Sequence, residues 1–171
     1  RECSEGGTEP GAMFEALRLA GSREEKLRLL AGFVSGLDAE DVEPVVRWFS
    51  GMALAPASPA RGFINARLVR EAVCIGAGVG SAEYHRAELV SVNPGEVAKR
   101  LFFGRTGSVG EALGLGQWKV GWQRVAEGRS APVVREALAR LFREAGPDSI
   151  LHLVNLAVGD LRIGLRRDWG L

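Results

Sequence analysis

The chain is poor in the residues that build metal, redox and disulfide chemistry. Of its 171 residues, two are cysteine and two histidine. Cys3 sits in a Gly/Glu-rich leader, and Cys74 falls in an apolar helical pattern where a buried thiol is the ordinary reading, so no disulfide framework is expected. His85 and His152 lie far apart, which leaves no spacing for a zinc site. Long hydrophobic runs are missing too. No apolar stretch approaches the roughly eighteen residues of a membrane span, and no charged start precedes an apolar signal segment, so no membrane partner is expected and the expected compartment is the cytoplasm. Sustained period-two alternation is absent, and strands are not expected.

Net charge is also small, at +1. Its distribution says more than its total. Residues 1–50 carry 6 basic and 10 acidic side chains, and residues 51–171 carry 16 and 11. Arginine outnumbers lysine by 19 to 3. Arginine suits bidentate phosphate contacts, although a GC-rich genome produces the same bias without a functional cause.

What is present is one helix signal after another in a chain of ordinary globular composition, 46% hydrophobic and 25% charged. Ser22-x-x-Glu25 is a capping box ahead of Leu27, Leu30 and Phe33, with Gly36 as a stop. Asp38 can cap a second helix carrying Val42, Val45, Val46 and Phe49 up to Gly51; Pro44 has to sit in its first turn or bend it. Residues 55–59 (APASP) form a loop, and Ile64, Leu68, Val69, Ala72 and Val73 resume helical spacing. Asn93-Pro94-Gly95-Glu96 reads as N-cap, proline at the first helical position and an acidic first turn. Ser108-x-x-Glu111 is a further capping box. Ser130 and Pro132 open an amphipathic helix through Phe142, Gly146-Pro147 breaks it, and the apolar run from Ile150 to Val158 follows. These signals predict an all-α fold, a compact multi-helix domain of about nine or more short helices built from helix-turn-helix pairs. Residues 1–11 read as a flexible leader and 12–171 as the helical domain.

The chain ends its last apolar run on Gly159-Asp160-Leu161-Arg162-Ile163-Gly164-Leu165. Glycine lets a backbone approach a partner closely, and arginine forks onto phosphate oxygens. With Val46-Arg47-Trp48-Phe49-Ser50-Gly51, Asn93-Pro94-Gly95-Glu96-Val97-Ala98, the helix opened by Ser130 and the break at Ala145-Gly146-Pro147, this ending resembles the N-terminal DNA-binding domain of ATP-dependent DNA ligases of bacterial and archaeal type. The resemblance covers most of residues 12 to 167.

The resemblance implies a helical domain lying across the minor groove around a nick. Such a domain binds backbone phosphates through helix N-termini, exposed amides and basic side chains, without reading base sequence. Gly159, Arg162 and Gly164 would form one phosphate-binding turn, and Ser130 would offer a helix N-terminus to another phosphate with Arg129 beside it. On spacing alone, Arg162 is a surface arginine at a turn and Ser130 an N-cap. Where many relatives carry lysines after the serine, this chain has Pro132 and Val134; where many carry an arginine in the penultimate helix, it has Asn155. Those losses imply weaker DNA binding, or compensation by Arg61, Arg67 and Arg105. Trp48, Trp118, Trp122 and Trp169 are expected as core anchors, and Arg124, Arg135, Arg140 and Arg143 are not sorted between solvent and DNA.

Self-adenylation by a ligase requires a lysine in a K-x-D-G setting, and Lys26, Lys99 and Lys119 all lack it. No Walker A pattern or nucleophile–base pair is present. No catalytic residue and no cofactor are therefore expected in this chain; ATP and magnesium would belong to a catalytic domain, in cis after Leu171 or on another chain. The expected partner is nicked double-stranded DNA, with a nucleoid-associated location in DNA repair or replication. The alternative expectation is a helical protein-interaction adaptor that keeps the fold without binding DNA.

Overall fold

The computed structural model describes residues 9–106 and 113–161, apart from the side chains of residues 104–106 and 148. Within them run nine α-helices and one short 3-10 helix, with no strand. In chain order these are α1 (Pro10–Leu19), α2 (Arg23–Ser35), α3 (Ala39–Phe49), the 3-10 helix (Pro59–Phe63), α4 (Ala66–Ala77), α5 (Ser81–Glu88), α6 (Pro94–Thr106), α7 (Leu115–Ala126), α8 (Ala131–Glu144) and α9 (Pro147–Val158). The fold is all-α, as the spacing of apolar residues predicts.

Most helix starts follow the expected chemistry. Ser22 Oγ accepts the Glu25 N–H at 3.1 Å, Asn93 Oδ1 accepts the Glu96 N–H at 3.0 Å, and Ser130 Oγ accepts the Val133 N–H at 3.4 Å. Each satisfies one of the donors that a first turn leaves without a partner. Asp38 occupies the N-cap of α3 but makes no side-chain cap bond. Pro44 lies inside α3 rather than in its first turn. The carbonyl it leaves without a donor belongs to the exposed Glu40, where solvent can reach it. The first helix opens at Pro10, inside the stretch read as leader, and Pro10 and Gly11 are buried. The Ser108 capping box lies outside the described residues; α7 opens instead at Gly114, whose N–H donates to Gln117 Oε1 at 2.8 Å.

The core forms around α9. Ile150, Leu153, Val154 and Leu156 are buried, and so are the polar Ser149, His152 and Asn155. A helix covered on every side must find partners for such groups inside the protein. The Asn155 carbonyl oxygen accepts the Gly95 N–H at 2.9 Å, and its amide donates to Asn93 Oδ1 at 3.1 Å. One buried side chain thus ties the first turn of α6 to the middle of α9. Gly95 allows the approach: a Cβ there would lie 2.4 Å from the Leu151 carbonyl oxygen.

Aromatic packing joins the N-terminal helices to the rest. Phe14 of α1 is fully buried and stacks on Trp118 of α7 at 5.6 Å and on His152 of α9 at 5.4 Å, while meeting Phe49 of α3 at 4.4 Å. Trp48 and Trp118 meet at 5.3 Å, and Trp122 is buried as well. These three tryptophans are core residues; Trp169 lies outside the described residues. Beside this cluster His152 Nε2 lies 3.0 Å from Glu15 Oε1, and Arg18 bonds the same carboxylate. Those contacts, led by the Arg18 hydrogen bond, hold Glu15 down at about 2 from an ordinary 4.5, against the opposing effect of burial.

Two predictions follow from these buried polar joints. Gly95→Ala and Asn155→Leu should each lower stability by about 1–3 kcal/mol in urea unfolding, the first by a backbone clash and the second by orphaning the Gly95 N–H. A depressed carboxylate contributes stability that is full above its unfolded pKa and is lost as pH falls through its folded one. Stability should therefore decline from about pH 4.5 toward pH 2, and Glu15→Gln should remove about 1 kcal/mol of that decline in unfolding followed by circular dichroism.

Candidate nucleic-acid interface

The most extensive helix pairing joins α4 to α8. The two run parallel: Arg67 lies beside Ala131, Arg135 Nη1 bonds Glu71 Oε1 at 3.1 Å, and Gly76 lies against the Ala139 carbonyl. Parallel packing brings both N-termini, and the positive ends of both helix dipoles, to one edge of the domain. Asn65 Oδ1 caps α4 by accepting the Leu68 N–H at 2.9 Å. The Ala66 and Arg67 amides have no acceptor within the helix, so they point outward at its end. The neighbouring end of α8 has fewer amides to offer. Pro132 lacks an N–H and Val133 donates to Ser130, which leaves the Ala131 amide.

The 3-10 helix stands beside this edge. On one side Gly62 shares a hollow with Asn65, Arg67, Ala131 and Arg135. On its other side Gly62 and Arg61 share a second hollow with Met52, Leu156 and Gly159. Arg67 thus lines one hollow with Ala131, the residue after the Ser130 cap, and Arg61 lines the next with Gly159, Gly62 bordering both; Arg129 adjoins the α8 cap in sequence. Arg61, Arg67 and Arg129 are exposed, and neither the Arg61 nor the Arg129 side chain has a hydrogen-bond or ion-pair partner among the described residues.

Gly159 ends α9 with φ +81°. Its N–H bonds the Leu156 carbonyl at 3.1 Å, and the Asp160 N–H bonds the Asn155 carbonyl at 2.8 Å. This is a Schellman ending, in which a left-handed residue turns the chain out of the helix. Gly159 itself lines the Arg61 hollow, and Leu161, two residues on, is buried in the core. Arg162 and Gly164 lie outside the described residues, and so does the side chain of Arg105 near the end of α6.

Tertiary packing sorts the arginines that sequence alone did not. Arg135 joins the face. Arg124 lines a separate groove between α3 and α7, whose walls include Trp122 and whose carboxylates are Glu40, Glu43 and Glu127. Across the base of that region Lys119 of α7 bonds Asp41 of α3, a contact that raises the amine above its ordinary value against the effect of burial. Arg140 pairs with Glu144 at 3.4 Å, and Arg143 is exposed. The residue that sequence reading missed is Asn65. Its signal was an N-cap residue just before apolar spacing, obscured because Ile64 also fits the helical period.

Of the positions that depart from the ligase-like pattern, Pro132 is exposed and the other two face inward. Val134 is fully buried under α8, and Asn155 is held in the core by its two hydrogen bonds. A cation at either position would meet the interior of this domain rather than the exposed face.

Because the Arg61 and Arg129 side chains make no bonds among the described residues, Arg61→Ala and Arg129→Ala should leave unfolding free energy within about 0.5 kcal/mol of the parent. Gly159→Val requires a β-branched residue in the left-handed region and should cost about 1–2 kcal/mol or more. Thermal unfolding of the three variants checks both expectations. No protein-family model matches the chain, and no curated protein matches its sequence.

Proposed function

We propose that this domain binds double-stranded DNA, nicked DNA above all, through backbone phosphates, and serves as the DNA-binding part of an ATP-dependent ligase in repair or replication. The observation that carries this reading is the paired N-termini of α4 and α8 at one edge, flanked by Arg61, Arg67, Arg129 and Arg135. Outward amides, aligned helix dipoles and guanidinium groups together favour anions spaced along a surface. Phosphate contacts of this kind position a protein on duplex DNA without reading its sequence.

Gly159, which lines the hollow that holds Arg61, belongs to the ligase-like ending and supports the same reading. The ligase-like order of motifs adds the expectation of a nick and of catalytic domains, in cis or on another chain, that bring ATP and magnesium. In that setting the protein would be nucleoid-associated.

A second reading, a protein-interaction adaptor, is favoured by one observation. Between α5 and α6, Leu89, Val90 and Val92 are 87%, 63% and 86% exposed, a cluster of apolar side chains on the surface.

Fluorescence anisotropy with nicked, intact and single-stranded DNA across a salt series separates the two. If Arg61, Arg129 and Arg162 each neutralise one phosphate, and Arg67 and Arg135, which share the Glu71 carboxylate, one more between them, log affinity should fall with log salt at a slope of about −3.6, on the order of a hundredfold between 50 and 200 mM. Arg61→Ala and Arg162→Ala should each flatten the slope by about 0.9 and weaken all duplexes alike. Absence of duplex binding at low salt, with a stable protein complex lost on Leu89→Ser/Val92→Ser, would select the adaptor.

A further inference from the structure

Among the described residues, one carboxylate lines the hollow between α4 and α8, and it sits between two arginines of the proposed interface. Glu71, one turn into α4, uses its two oxygens separately: Oε2 lies 3.3 Å from Arg67 Nε, and Oε1 lies 3.1 Å from Arg135 Nη1. Arg67 comes from the first turn of α4 and Arg135 from α8, so the contact bridges the two parallel helices. Glu71 is partly exposed at 37%, and Arg135 is similarly placed at 31%. The pair is therefore hydrated enough to be exchanged for another anion. Glu71 stands in both hollows that flank this point, with Arg67 and Arg135 in each.

A carboxylate and a phosphate diester offer guanidinium the same thing, a pair of anionic oxygens. We propose that Glu71 is an internal counter-ion of the DNA-binding face, occupying donors of Arg67 and Arg135 and holding the affinity for duplex DNA below what its arginines could supply. This rests on the DNA-binding reading above. With Glu71 charged, the three groups present a net single positive charge; without that charge they present two. DNA binding then releases more counterions, because both guanidinium groups become available to phosphates. A domain that must leave its DNA after each sealing event gains from such a limit, since phosphate contacts accumulate affinity without discrimination.

The test compares the whole chain with Glu71→Gln, which keeps the side-chain shape and removes the charge, in anisotropy titrations on nicked duplex across a salt series. Glu71→Gln should bind on the order of tenfold more tightly at about 50 mM salt, with a slope steeper by about 0.9, and the advantage should shrink as salt rises. Adding Arg67→Ala and Arg135→Ala should abolish the gain. Glu40→Gln removes the same charge from an exposed position of α3, on the α3–α7 groove, and should leave affinity and slope unchanged. Thermal unfolding checks that each variant keeps the fold.

Equal affinity and slope for the parent and Glu71→Gln, weaker binding by Glu71→Gln, or an equal gain from Glu40→Gln would overturn the assignment while leaving DNA binding in place. If neither the parent nor Glu71→Gln binds duplex at low salt, the DNA-binding reading itself fails and this assignment falls with it.

Discussion

The burial of α9 on all sides is the constraint on which the rest of the structure depends. An apolar helix in the middle of a domain contributes about 1.5–3 kcal/mol for each large side chain it removes from water. It also carries His152 and Asn155 into that interior, and each would cost stability without a partner. Two neighbours supply the partners. Glu15 reaches His152 from α1, and the first turn of α6 meets Asn155 through Gly95 and Asn93. The polar residues of α9 thereby fix which helices pack on it and in what register, since an apolar surface alone would allow sliding.

From that centre the arrangement of the surface follows. The α4–α8 pair packs alongside, and its parallel direction puts two helix N-termini together where an antiparallel pair would have placed opposite dipole ends. The 3-10 helix fills the space beside them and carries Arg61. Gly159 then releases the chain from α9 at the same edge. The acidic α3 lies elsewhere, with its carboxylates held by Arg47 and Lys119 or turned toward the α3–α7 groove. A chain whose net charge is only +1 thus presents an arginine-rich face apart from a groove whose three carboxylates are balanced by three cations, so its total charge is a poor guide to what it can bind.

Much of the local structure was legible because it depends on neighbours in sequence. Serine or asparagine capping an amide three residues ahead needs no tertiary information, and Ser22, Asn93 and Ser130 do this. The breaks at Gly51 and Gly146-Pro147 are local for the same reason, one a left-handed turn and the other a proline start. At two positions the surroundings decided the outcome. Pro44 continues inside α3 because the carbonyl it strands belongs to an exposed residue, and Asn155 lies in the core because α6 brings it a donor and an acceptor. Neither fact is written in the period of apolar residues.

The sequence by itself determined the helices, their ends and the all-α class, because hydrogen bonds within one turn and the 3.6-residue period are local properties. It also put net negative charge on residues 1–50 and net positive charge on residues 51–171. Only the tertiary structure decided which arginines share a face, that Asn65 shares a hollow with Ala131, and that Glu71 lies between Arg67 and Arg135. Those relations span some sixty residues of chain, as the Glu71–Arg135 bond does at a separation of 64. They are set by how helix surfaces pack, a property of pairs of helices that no single stretch of sequence contains.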